Sequence, residues 1–152
     1  MGSCDFTAVG RGSNAEKAYQ NAVEEAEYEH GHDGYNGTIS TSRGFYEIKG
    51  KSLLDYSKAL REAIKAKKAE IKGKVYQWAT DKESDAYRLA SLESTVTRVM
   101  AARKTEDKGA RAWAMLEAEM SLEDGKRIRK WEQCACVKVE PGKYFFAGIA
   151  AC

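Results

Sequence analysis

Residues 4–31, CDFTAVGRGSNAEKAYQNAVEEAEYEHG, decide the fold because their apolar pattern changes period part-way along. Residues 4–9 alternate, with Cys4, Phe6 and Ala8 on one side, as a short half-buried strand requires. After GRGS, the residues Ala15, Ala18, Tyr19, Ala22, Val23 and Ala26 recur at i, i+3, i+4, i+7, i+8 and i+11. That spacing draws one stripe down a helix, and its small side chains let the helix lie close on a sheet. Ser13 and Glu16 have the S-x-x-E spacing of a capping box, so the helix is predicted to open at Ser13. Gly31 stands where a helix commonly ends on a residue of positive φ.

Working outward, TISTSRGFYEI at 38–48 is rich in strand formers. It predicts one long strand bulged at Gly44, or a hairpin turning at Ser42-Arg43-Gly44. Residues 51–130 change character: they lack proline, are rich in Ala, Lys, Glu and Arg, and repeat with helical period. Helices are predicted over 53–73, 81–104 and 110–120. Basic stretches such as IKAKKAEIKGK read as solvated helical faces. The carboxy-terminal CACVKVE and YFFAGIAAC flank EPGK, whose Pro141-Gly142 suits the centre of a type II turn. Ala135, Val137 and Val139 fall on one face of the first of these strands, and Cys134 and Cys136 on the other. The expected fold class is α+β: a β-α-β core plus a C-terminal β-hairpin forming one sheet, with an inserted helical block of two to three helices. Residues 1–152 are read as one domain, with 51–130 as the helical insertion within it.

The 152-residue chain is long enough to bury a core, and its 43% apolar and 32% charged composition is that of a folded protein. Its 25 basic and 23 acidic residues nearly cancel, so bulk charge does not favour nucleic acid, although a local basic face leaves it open. No apolar run approaches the ~18 residues of a membrane span. The opening MGSCDFTAV shows neither the basic nor the apolar region of a secretory signal, so cytoplasmic residence and free thiols at Cys4, Cys134, Cys136 and Cys152 are expected.

Three constellations could carry chemistry. GRGS, entering a helix, offers free amides and the positive end of a dipole to an anion, with Arg11 and Ser13 as ligands. It lacks the third glycine of a dinucleotide fingerprint and any Walker lysine, so an ordinary glycine-assisted turn into a capped helix is the favoured reading. EHGHDGYNGT at 29–38 holds both histidines of the chain, His30 and His32, together with Tyr35 and Asn36. It lies at the negative end of the helix dipole, which suits a cation or a protonated imidazole rather than a phosphate. No serine or cysteine nucleophile is tied to it by spacing, and Asp33-Gly34 and Asn36-Gly37 read simply as turns. Cys134 and Cys136, roughly 6.6 Å apart along a strand, could join His30 and His32 in a Cys2His2 zinc set. C-x-C and H-x-H are not the usual zinc spacings, and no metal or other cofactor is expected. The tryptophans Trp78, Trp113 and Trp131 read as core or inter-helix packing.

GSNAEKAY, EYEHGHDGYNGTIS, KWEQCACVKV and KYFFAGIAAC together resemble segments of small accessory proteins of tailed bacteriophages. The likeness covers residues 4–48 and 130–152 and leaves the helical block outside. It brings no activity, but it implies a phage accessory gene acting in a bacterial host cytoplasm. The expected function is therefore a binding protein that inhibits a bacterial defence system, by capping a host protein or by sequestering a small anionic, nucleotide-like ligand. One alternative is a small nucleotide-directed hydrolase or transferase using His30 or His32 as acid-base. Another is a structural or assembly protein, a homo-oligomer formed through the helical block.

Overall fold

The computed structural model describes residues 2–123 and 132–152. The elements run β1 (Ser3–Arg11), α1 (Ala15–His30), a short 3-10 turn (Ile39–Thr41), β2 (Phe45–Glu47), α2 (Leu53–Lys72), α3 (Ala79–Arg103), α4 (Lys108–Glu123), β3 (Cys134–Glu140) and β4 (Lys143–Ala151). This is an α+β fold with a helical block between strand segments. The four strands form one mixed sheet in the order β1-β4-β3-β2. The hairpin β3–β4 is antiparallel and central, β1 lies antiparallel to β4, and β2 lies parallel to β3 at the opposite edge. The hairpin turns at Pro141-Gly142, where Gly142 takes the positive φ of 83° that a type II turn needs at its third residue.

Both faces of the hairpin are covered, which is why its apolar residues run almost without interruption. On one face α1 lays Ala18, Tyr19 and Ala22 against Phe6, Cys134, Cys136, Phe146 and Ala150. On the other, α4 lays Ala112 and Leu116 against Ala135, Val137, Phe145 and Ala147, and Trp113 stacks on Phe145 at 4.2 Å between ring centroids. The opposite side of α4, through Ala114 and Ala118, packs with Leu53, Tyr56 and Leu60 of α2 and Leu92 and Val99 of α3. The helical block thus supplies one layer of the sheet's own core.

Polar ties fix these layers. The Tyr19 hydroxyl accepts from the Gly44 amide at 3.0 Å and bonds Ser42 Oγ at 2.7 Å, stitching α1 to the approach to β2. Burial pushes its phenol up from the ordinary value. Glu119, on α4 and almost fully buried, accepts from Tyr56 at 2.7 Å and Tyr46 at 3.1 Å. Between α2 and α3, Lys67 and Lys74 reach the Asp85 carboxylate at 2.9 and 2.8 Å, and Tyr76 donates to it at 2.8 Å. Those two lysines belong to the basic stretch, whose Lys65, Lys68, Lys72 and Lys74 are exposed.

Several expectations need correction. The α1 cap is Asn14, whose side chain accepts from the Lys17 amide at 2.9 Å; Ser13 and Glu16 form no capping box. The chain cannot turn earlier, because β1 continues through Arg11 and the Gly12 amide donates to Gly142. The 38–48 segment is neither a long strand nor a hairpin, since Thr38 caps a 3-10 turn and only Phe45–Glu47 pair. Trp78 is not core: it precedes α3 and is 64% exposed. Trp131 lies outside the described residues.

Candidate functional site

α1 places its two polar ends far apart. At about 1.5 Å per residue its 16 residues span roughly 24 Å, so GRGS and EHGHDGYNGT do not form a joint site.

At the first end the glycines have a packing duty. A Cβ on Gly10 would sit 2.3 Å from the Ala18 carbonyl oxygen, and one on Gly12 would sit 2.6 Å from the Ala18 amide nitrogen. They let β1 meet the first turn of α1 at backbone distance. Arg11 ends β1 with an exposed side chain, while its carbonyl accepts from Asn21 Nδ2 at 2.7 Å. Ser13 is exposed and does not cap the helix.

At the second end, Gly31 stops α1 with φ of 82°, and its amide returns to the Glu27 carbonyl. His30 and His32 are both exposed, 3.7 Å from Glu29 and 3.3 Å from Glu27 respectively. Asn36 is consumed locally: its amide donates to Gly31 O at 3.1 Å and Ser40 Oγ at 2.9 Å, and its carbonyl accepts from Thr38 N at 3.0 Å and Thr38 Oγ1 at 2.7 Å. The Tyr35 amide donates to Asp33 Oδ1 at 3.1 Å, which closes an Asx turn. The stretch is a helix stop followed by two turns.

The Cys2His2 set is not assembled. Cys134 and Cys136 are buried beneath α1, whereas the histidines stand exposed at the helix end. Burial pushes the Cys134 thiol up to about 12 and raises Cys136 still further. Both are therefore neutral sulfurs in an apolar layer, poor as metal ligands or nucleophiles. Among the described residues no group of three or more His, Cys, Asp or Glu side chains is placed to hold a metal ion.

The structure instead presents a groove along the outer side of β1. Its main section, about 410 Å³, is lined by Asp5–Val9 of β1, by Ala22, Glu25, Ala26, Glu29 and His30 of α1, and by residues 37–39. A second section of about 330 Å³ shares Val9, Ala22 and Glu25 and runs on to Arg11 and Asn21. Of the residues singled out by sequence, His30 and Arg11 stand at the two ends of this groove; Ser13, His32, Tyr35 and Asn36 do not line it.

The sheet edge there is open. Gly2 and Cys152 exchange amide hydrogen bonds at 3.1 and 3.2 Å, and Gly12 donates to Gly142 at 3.2 Å. In an antiparallel ladder this parity turns the amides and carbonyls of even-numbered β1 residues toward β4. Those of Asp5, Thr7 and Val9 therefore face outward, and among the described residues no hydrogen bond reaches them. Sequence reasoning missed these residues. Its one available signal was the alternation of Asp5, Thr7 and Val9 with Cys4, Phe6 and Ala8, and strand order is what converts that pattern into a free edge.

Among the described residues no helix is long and apolar enough to cross a membrane. No protein-family model, curated protein or solved structure matches the chain.

Proposed function

We propose that this protein is a binding factor that captures a protein partner along the groove beside β1. In the phage setting implied by the resemblance, it is an accessory protein that caps a host defence component and so inhibits it. The observation that carries the reading is the unpaired edge of β1, a nine-residue strand with three outward amides and three outward carbonyls in a groove. Proteins ordinarily blunt such edges with charge, proline or a bulge, because an open edge is a template for another strand. Here β1 pairs without a register shift along its whole length, and its centre carries the uncharged Thr7, Ala8 and Val9. Strand addition draws its affinity from main-chain bonds and its specificity from what lies beside the edge.

This favours protein capture over the small anionic ligand, since Glu25 and Glu29 line the groove and would repel an anion. It also favours binding over hydrolysis, because among the described residues the ion-pair partners of His30 and His32 are neighbouring glutamates and neither histidine orients a nucleophile. The test is capture from lysate of phage-infected bacteria with wild-type protein and with Thr7→Pro, His30→Ala and His32→Ala variants. Proline at position 7 removes an outward amide and leaves the β4 ladder intact. The reading expects a stoichiometric complex lost only in Thr7→Pro. A complex that survives this change, or nucleotide turnover that depends on either histidine, overturns it.

A further inference from the structure

We infer that the occupant of the β1 groove is an extended, basic segment of its partner, added as a fifth strand with lysine or arginine alternating with small apolar residues. The inference rests on the strand-capture reading above and specifies its chemistry.

The backbone of β1 determines that the occupant is extended. The outward N–H and C=O groups of Asp5, Thr7 and Val9 recur every second residue, and only a strand matches that period. At the Arg11 end the edge is closed, because Asn21 already occupies the Arg11 carbonyl. About five residues of β1 are therefore available to an added strand, which suits a short linear segment.

The wall supplied by α1 determines which side chains fit. Ala22, Glu25, Ala26 and Glu29 lie at i, i+3, i+4 and i+7 and share one helix face. Ala22 and Ala26 leave room above the edge for a side chain from an added strand. Glu25 and Glu29 are exposed beside them and supply the carboxylates of the slot, since Cys4, Phe6 and Ala8 face α1 and the pleat turns the Asp5 side chain to the other side of the sheet. The basic side chains facing them are His30, 3.7 Å from Glu29, and Arg11, at the closed end. The open half of the groove is thus an acidic slot with a narrow apolar floor. A residue of the added strand that points toward α1 meets alanine, and a long cationic side chain passing it reaches Glu25 or Glu29. Each such exposed pair contributes only about 0.2–1 kcal/mol, so charge selects the occupant while the backbone bonds hold it.

A second copy of the chain is the competing occupant. Its own β1 would bring Cys4, Phe6 and Ala8 to the acidic slot rather than a cation, and its α1 would arrive on the same side of the sheet as the resident helix. An isolated segment carries neither burden.

The test uses the full chain and two fluorescein-labelled octapeptides, one alternating lysine with valine and one alternating glutamate with valine. Anisotropy is read at low ionic strength, and sedimentation of the protein alone reports self-association. The lysine peptide is expected to bind at least about tenfold more tightly than the glutamate peptide, and more weakly as salt rises. Thr7→Pro should abolish binding, with the amide spectrum reporting that the sheet is retained. Glu25→Lys combined with Glu29→Lys, which changes only exposed helix positions, should invert the preference between the peptides.

Equal affinity for the two peptides, or binding of neither, overturns the basic-segment inference. A dimer that dissociates in Thr7→Pro, with no peptide binding, also overturns it and makes the second copy the occupant. The strand-capture reading has a separate point of failure: a host complex that persists in Thr7→Pro sinks it, whatever the peptides do.

Discussion

Replacing Glu119 by alanine tests how the helical block is joined to the sheet. The Glu119 side chain is 3% exposed, yet it receives Tyr56 Oη from α2 at 2.7 Å and Tyr46 Oη from β2 at 3.1 Å. A buried polar group that loses its hydrogen-bond partner costs about 1–3 kcal/mol, and Tyr56 is itself only 1% exposed. Losing both should cost about 3 kcal/mol or more. For a domain of this size that corresponds to a fall in Tm of roughly 6–12 °C. Lys51 lies 3.6 Å away but is half exposed, so its part is small and screened by salt. The assay is urea unfolding of wild type, Glu119→Ala, Tyr56→Phe and the double variant. A coupling of about 1.5–3 kcal/mol is expected, and it should persist at high salt. Coupling below about 0.5 kcal/mol, the level of independent sites, would refute the idea that this carboxylate ties α2, α4 and β2 together.

Asp85 gives a pH prediction with a definite sign. Its bond to Lys67, then those to Lys74 and Tyr76, hold its carboxyl well below the ordinary value. A carboxyl depressed in the folded state contributes stability above its unfolded pKa of about 3.9, and that contribution drains away as pH falls toward the folded value. Wild type should therefore lose stability below about pH 4 more steeply than Asp85→Asn, as read by thermal melts across acid pH. Alkylation in the native state should modify the exposed Cys152 first and spare Cys134 and Cys136 until the protein unfolds, which intact-mass measurement reports. Gly10→Ala should destabilise by about 1–3 kcal/mol or more, because its Cβ would meet the Ala18 carbonyl oxygen at 2.3 Å; a neutral melt would contradict the close approach. His30→Ala and His32→Ala should each leave stability within about 0.5 kcal/mol, as exposed residues do.

Much of this fold was legible because its signals are local. The stripe from Ala15 to Ala26, the stop at Gly31 and the turn at Pro141-Gly142 depend on neighbours within a few residues, and all three stand in the structure. Ser13 and Asn14 are both good caps, and the contest was settled by the packing of Gly12 on Ala18, which delays the turn. The 38–48 segment misled because strand propensity describes a pleated surface, whereas Thr38, Ser40 and Ser42 bond the local backbone and one another. The second apolar face of β3 and β4 was written in CACVKV and YFFAG, but only the position of α4 explains what covers it. The site was least legible. His30, His32 and Asn36 drew the eye by chemical type, while the groove is made of backbone groups and alanines whose meaning depends on β1 lying at the edge. That position follows from β4 pairing with β1 across more than a hundred residues, which no local pattern encodes.

The central claim is that the edge of β1 is open in the free protein and closed by the partner. Amide hydrogen exchange resolved by residue tests it most directly. In the free chain the amides of Asp5, Thr7 and Val9 should exchange quickly, while those of Cys4, Phe6 and Ala8, bonded to β4, are protected. On binding, the three fast amides should become protected and the alternation along β1 should vanish. If Asp5, Thr7 and Val9 are already protected in the monomer, or stay fast in the complex while protection arises elsewhere, the groove is not where this protein acts.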